Sequence, residues 1–236
     1  MNSAIEKRIS HRCFSKEPVE AELVGQIKEW VTEANSESGL NITFLADGSE
    51  AFNGLKKSYG LFSNVRSMLL MKGCSDDENL DAKVGYYGED LVLKMTGLNL
   101  GTCWVGGTYD NTLFTVPNGE CLVCVIVLGY VQKSVKDSVI RTLARSKNRK
   151  SIEQRTVADA PLPDEVIKGM EAVRLAPSAV NRQNPTLHYE RGQVSMSVDG
   201  TAKFDFVDLG IAMRHFEIGA GKGRFELTNG GCWTTN

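Results

Sequence analysis

Apolar residues recur at helical spacing along much of the chain. Leu23, Val24, Ile27, Trp30 and Val31 fall on one face of a stretch that predicts a helix over Glu20–Ala34, set up by Pro18. Val84, Leu91, Val92, Met95, Leu98 and Leu100 hold the same register from Asn79 to Leu100, which predicts a long central helix closing at Gly101. PDEVIKGMEAV predicts another, ending near Arg174, and Phe206–Ala220 a last one; a short helix over Ala4–Ser10 precedes them all.

Other segments carry strand patterns. Ile42–Ala46 and Ser67–Met71 read as extended. CLVCVIVLGYV at 121–131 is an unbroken run of β-branched character, expected of an inner strand covered on both faces. Leu187, Tyr189, Val194, Met196 and Val198 flank Arg191-Gly192-Gln193, which predicts a hairpin, and a short FEL strand precedes the Gly/Thr/Asn tail. RTLARSKNRKSIEQR reads as a basic, solvated region.

Composition narrows the function classes. A chain of 236 residues can bury a sizeable core as one large domain or two small ones, without metals or disulfides. A net charge of −2 gives no global positive field for nucleic acid or an anionic membrane. MNSAIEKRIS lacks the apolar core of a secretion signal, and the longest apolar run is too short to span a bilayer, so a soluble, cytoplasmic protein is expected. The six cysteines have no framework spacing, which fits a reducing compartment; Cys121-x-x-Cys124 lies in the apolar run and reads as buried strand, not as a redox or zinc motif. His11, His188 and His215 are too dispersed for a metal, and none is expected.

The chain also carries an internal echo. Pro18 followed by Glu22-Leu23-Val24 parallels Pro161 followed by Glu165-Val166-Ile167, and Asp90-Leu91, Met95, Gly101 has the spacing of Asp208-Leu209, Met213, Gly219. The Pro-to-Asp distances are 72 and 47 residues, so a second copy would be shorter by 25. A duplication over 1–156 and 157–236 is expected, against the alternative of chance likeness between helices.

Three segments hold the polar chemistry. Arg8, Ser10 and Arg12 place two guanidinium groups and a hydroxyl within a turn and a half, a set able to grip a phosphate; Lys147, Arg149 and Lys150 form a second basic cluster. Each taken alone reads first as a solvated basic face. RLAPSAVNRQNP at 174–185 offers the Ser178 hydroxyl and the Asn181 and Gln183 amides to a flat heteroaromatic edge, with Pro177 and Pro185 restricting the backbone; a helix end and turn fits it equally. Gly97-L-N-L-Gly101-Thr102-Cys103-Trp104-Val105-Gly106-Gly107 brings glycine backbone where a ligand can approach, and matches neither a Walker loop nor a dinucleotide fingerprint.

Together RISHRCF, LAPSAVNRQNP, GLNLGTCWVGG and SKNRK resemble the FMN-dependent nitroreductase family, and in particular its single-chain members with a fused pseudo-dimer. The resemblance implies an α+β fold, a mixed sheet covered by helices, duplicated into an intramolecular pseudo-dimer packed as one globular unit. It implies FMN, with the phosphate and ribityl chain held by Arg8, Ser10, Arg12, Lys147 and Arg149 and the ring approached by Pro177, Ser178, Asn181 and Gln183. The Val105-Gly106-Gly107 backbone would face flavin N5.

The flavin would carry the chemistry, with no side chain as catalytic acid or base, passing electrons from NADH or NADPH to a nitroaromatic, a quinone or a similar small acceptor. Residues Tyr59 to Asn64 would then shape substrate choice. The sequence departs from ordinary members in one respect: the first copy has TEANSESGLNITF where A-P-S-x-x-N-x-Q is expected, and the second has ADAPLPDE where R-x-S-x-R is expected. One flavin per chain, built from both copies in a monomer open to further dimerisation, follows from that departure. The alternatives are an FMN store or sensor with little turnover, and a helical interaction module without cofactor.

Overall fold

The computed structural model describes residues 3–53, 61–132, 138–139, 142 and 148–235. They form two compact units, interleaved along the chain: residues 8–80 with 91–143, and residues 1–7 with 81–90 and 144–236.

The first unit is built on an antiparallel sheet of β1 (Thr43–Leu45), β2 (Ser67–Cys74), β3 (Gly101–Val105) and β4 (Glu120–Gly129), in the order β1-β2-β4-β3. β4 pairs with both β2 and β3, as its unbroken apolar run requires of an inner strand. Alternate residues Met68, Leu70, Val125 and Val127 pack with Phe14, Phe52, Cys103 and Val105 on one face. The intervening Leu69, Met71, Ile126 and Leu128 are just as buried, so both faces are covered. Cys124 is buried in this strand while Cys121 is exposed at its start. Helix α2 (Ala21–Ser38) buries Ile27, Val31 and Ala34 and ends at Gly39, whose φ of 74° is left-handed.

The second unit has a five-stranded sheet of β5 (Thr156–Ala158), β6 (Thr186–Glu190), β7 (Gln193–Ser197), β8 (Arg224–Phe225) and β9 (Gly231–Thr234), ordered β5-β6-β7-β9-β8. Only β5–β6 is parallel. The expected hairpin is β6–β7; Arg191 and Gly192 both take positive φ, the pair of conformations a tight two-residue turn needs. Helices α4 (Asp164–Leu175) and α5 (Asp205–Ala220) supply Val166, Met170, Val173, Leu209, Met213 and Phe216 to a core shared with Leu187, Val194 and Met196 of the sheet. Helix α1 (Ser3–Lys7) also belongs here.

Helix α3 (Leu80–Gly97) gives residues 81–90 to the second unit and its later residues to the first. It ends earlier than its hydrophobic pattern predicts. Asn99, not Gly101, takes the left-handed conformation, and Gly101 opens β3. A Cβ at Gly101 would press on the side chains of Val131 and His11, so this glycine answers to packing and not to a helix cap. The first helix likewise stops at Lys7, short of the expected Ser10, because the chain then joins the sheet as an extended segment. β3, β5 and β9 were not legible as strands: each is short and interrupted by Gly, Thr or Trp patterns that suit turns equally well.

Candidate functional site

In the first unit, the segment after α1 runs extended, not helical. Ser10 bridges Thr102 in parallel and His11 N donates to Thr102 O at 2.8 Å. Ser63 N then donates to Arg12 O at 2.9 Å, Phe14 N to Ser63 O at 3.0 Å, and Ser15 N to Tyr130 O at 2.8 Å. Arg8, Ser10 and Arg12 therefore follow one another along bridged, non-helical chain and not within the helical turn expected. Arg8 is 7% exposed while its neighbour Ile9 is 43% exposed, the inverse of what hydrophobicity alone selects. A guanidinium brought inside in preference to an isoleucine marks a position built for charge. Two guanidinium groups and a hydroxyl within one short segment suit a phosphate in number and chemistry.

Val105 closes β3, paired with Val125, and the chain leaves the sheet at Gly106-Gly107. A Cβ added to Gly107 would meet nothing within 4 Å, so space lies open beside that backbone. Further round the same unit, a concavity of about 420 Å³ is lined by Leu45, Asp47, Ser49, Ala51, Leu113 and Phe114. Tyr59 lies outside the described residues, whereas Phe62 packs edge-on against Phe52 at 5.3 Å.

In the second unit, the loop that leaves α4 is held by a dense set of hydrogen bonds. The last carbonyls of a helix lack intrahelical donors, and no glycine cap follows Leu175. Arginines take that part. Arg155 Nη1 donates to Val173 O at 3.0 Å, and Arg149 Nη1 to Ala176 O at 2.9 Å, with Arg149 Nη2 reaching Leu175 O at 3.5 Å. Arg155 Nε also donates to Pro185 O at 3.2 Å, tying the far end of the loop to the helix end. Arg155 is only 3% exposed, so the basic stretch that contains it is not wholly solvated as expected; burial and the nearby Arg149 bring its pKa down to about 10.

Within the loop, Val180, Asn181 and Gln183 all take positive φ, of 45°, 57° and 53°, a conformation costly to L-residues and most costly to a β-branched one. The surrounding bonds hold it. Both carboxylate oxygens of Asp208 accept from Ala179 N at 3.0 Å, and Ser178 Oγ accepts from Gln183 N at 2.9 Å. Asn181 Nδ2 and Gln183 Nε2 both donate to Asn148 O, at 3.0 and 3.1 Å, and Gln183 Oε1 accepts from Lys150 N at 3.0 Å. Asp208 is 3% exposed; burial foremost, with Asp205 nearby, lifts its pKa to about 7 against the opposing pull of the Ala179 N–H, Arg155 and Arg182.

The structure thus brings Arg149, Ser178, Asn181 and Gln183 together in one unit, with Pro177 at the head of the loop, while Arg8, Ser10 and Arg12 lie in the other, neighbours along one segment. Lys147 lies outside the described residues. Arg155, Asp208 and Asn148 are the residues that sequence reasoning passed over. Arg155 hid in a basic run, Asp208 in the polar opening of a helix, and Asn148 acts through its main-chain carbonyl, which no side-chain motif reveals. Among the described residues no group of three or more His, Cys, Asp or Glu could hold a metal, and no helix is long and apolar enough to cross a membrane.

These features define an α+β protein with an extended N-terminal segment that carries Arg8, Ser10 and Arg12 and a tightly bonded polar loop after a helix. The chain belongs to the nitroreductase family: the family model described as "Putative TM nitroreductase" matches residues 1–220. A solved structure of the same description from Thermotoga maritima MSB8 shares 22% identity at a TM-score of 0.63, over 99% of this chain and 92% of that one. A nitroreductase family protein from Clostridium difficile 630 shares 17% at a TM-score of 0.50, over 69% and 99% of the two chains. A nitroreductase with bound FMN from Desulfitobacterium hafniense DCB-2 has 17% identity and a TM-score of 0.47, over 56% and 89%. No curated protein matches the sequence. The α+β class expected from the sequence is the one observed, and it is the fold shared with the Thermotoga maritima structure.

Proposed function

We propose that the protein is an FMN-dependent oxidoreductase that takes electrons from NADH or NADPH and passes them to a nitroaromatic, a quinone or a similar small acceptor. Family membership supports the flavin. The observation that carries the reading is the inverted burial of Arg8 and Ile9 at the head of the segment that holds Arg8, Ser10 and Arg12, which suits a phosphate monoester. Arg12, Ser10 and Arg8 would hold the FMN phosphate and the nearer ribityl hydroxyls, with Lys147 and Arg149 adding positive charge. The Pro177–Gln183 loop, with Ser178 in it, would border the ring. The Val105-Gly106-Gly107 backbone would lie along the N5 edge, where a main-chain N–H can donate without a side chain in the way.

When bound, FMN would accept hydride from the nicotinamide and release electrons to the acceptor. The chain's own part is to neutralise the phosphate, orient the ring and limit water, with the flavin and not a side chain carrying the chemistry. A duplication with its joint between residues 156 and 157 is part of the same proposal.

Reconstitution tests it directly. The purified protein is expected to bind FMN, turn yellow and oxidise NADH or NADPH when menadione or a nitroaromatic is added. Arg12→Ala is expected to weaken FMN binding by roughly tenfold or more, the loss of one charge-assisted pair. A protein that takes up no FMN, or an Arg12→Ala variant with unchanged affinity, would refute the corresponding part. Bound FMN without nicotinamide oxidation would mark a store or sensor instead.

A further inference from the structure

The motif amides at 181 and 183 are occupied by the protein's own main chain. Asn181 Nδ2 and Gln183 Nε2 converge on one acceptor, Asn148 O, while Gln183 Oε1 takes the Lys150 N–H; Lys150 Nζ returns to Gln183 O at 3.4 Å. Gln183 thereby acts as a strand partner would, accepting from one residue and donating to another two positions away. It is 5% exposed, which leaves little of it for a ligand. The bonds reach across 33 to 35 residues of sequence and meet the loop where its backbone is left-handed at Val180, Asn181 and Gln183. Conformations of that cost persist only where surroundings over-determine them.

We propose that Asn181 and Gln183 are positioning residues: their amides clamp the Asn148–Lys150 main chain and so hold the Pro177–Gln183 loop in its left-handed shape, instead of contacting the flavin themselves. Arg149 completes the clamp from the other side, since its guanidinium spans Ala176 O and Asn181 Oδ1, the latter at 3.4 Å. The flavin end of this inference rests on the proposed FMN function, whereas the clamp itself is a property of the chain without cofactor.

Two measurements separate them. In FMN-free protein, NMR amide exchange at Lys150 is expected to be slow, to speed up at least tenfold in Gln183→Ala, and to stay slow in Gln183→Glu, whose carboxylate still accepts that N–H. Unchanged exchange in Gln183→Ala would overturn the clamp. This arm decides whether or not FMN binds, so a wild type that binds no flavin counts against the function proposed above and leaves the clamp to the exchange result.

With FMN, Asn181→Ala and Gln183→Ala are each expected to weaken binding roughly tenfold, and the double variant scarcely further, because both act through Asn148. The visible flavin spectrum of each variant at saturation should match the wild type. Additive losses, or a shifted flavin spectrum, would mean direct contact and overturn the proposal. Should Gln183→Ala fail to fold, Asn181→Ala with Gln183→Glu carries the same test, since the carboxylate that Gln183→Glu introduces lacks the shared donor to Asn148 O.

Discussion

Asp208 carries the loop at its other end, and its charge state gives stability a pH dependence. Burial raises its pKa from 3.8 to about 7, so the folded state holds this proton more tightly than the unfolded chain does. With a raised acid pKa the unfolded state loses its proton first, and the contribution of Asp208 to stability is full below about pH 4 and declines as pH rises to about 7, then levels off. A shift of that size is linked to at most about 4 kcal/mol. Asp208→Asn removes the titration and keeps one acceptor for Ala179 N. Its urea-unfolding free energy is expected to fall less between pH 4 and pH 7 than that of the wild type; parallel curves would contradict the assignment.

At the scale of elements, the sign of a glycine substitution depends on what the helix touches. Gly210 of α5 lies against α3 in the second unit, where an added Cβ would collide with the carbonyl oxygen of Ala82 and crowd Tyr86 N. Gly85 of α3 is set the same way against Val207 O. Backbone obstacles do not swing aside, so Gly210→Ala is expected to cost about 3 kcal/mol or more. Gly25, on an exposed part of α2, has nothing within 4 Å, and Gly25→Ala is expected to stabilise by about 0.5–1 kcal/mol through helix propensity. Thermal melts of the two variants should move in opposite directions. The crossing also seats a polar ladder on the two helices: His215 Nε2 lies 2.9 Å from Glu89 Oε1 with both side chains fully buried, Arg214 pairs with Asp90, and Tyr86 bonds Glu217.

At the scale of the whole molecule, the proposed duplication makes a countable prediction. Each copy lacks the segment the other keeps, so saturated protein is expected to hold one FMN per chain, measured by flavin absorbance against protein concentration. A ratio near two would remove the argument from complementary loss.

Much of this organisation was legible in the sequence, and the parts that were not have a common cause. Periodicity gave the long helices and the inner strand because their burial is one-sided or complete over many residues. Residue types mark Arg8, Ser10 and Arg12 as the candidate phosphate set of the proposal, since guanidinium groups at 8 and 12 carry their chemistry wherever the backbone goes. That the segment carrying those groups leaves the helix and bridges the sheet, that Gly101 serves packing instead of a cap, and that Arg155 is interior to a basic run were decided only when remote segments met. The clamp of Asn181 and Gln183 on Asn148 is the plainest case, because its acceptor is a main-chain carbonyl identical in every residue. Side-chain chemistry and local periodicity are properties of the sequence itself; which backbone groups they satisfy is set by tertiary structure, which alone brings positions 148 and 183 within hydrogen-bonding distance.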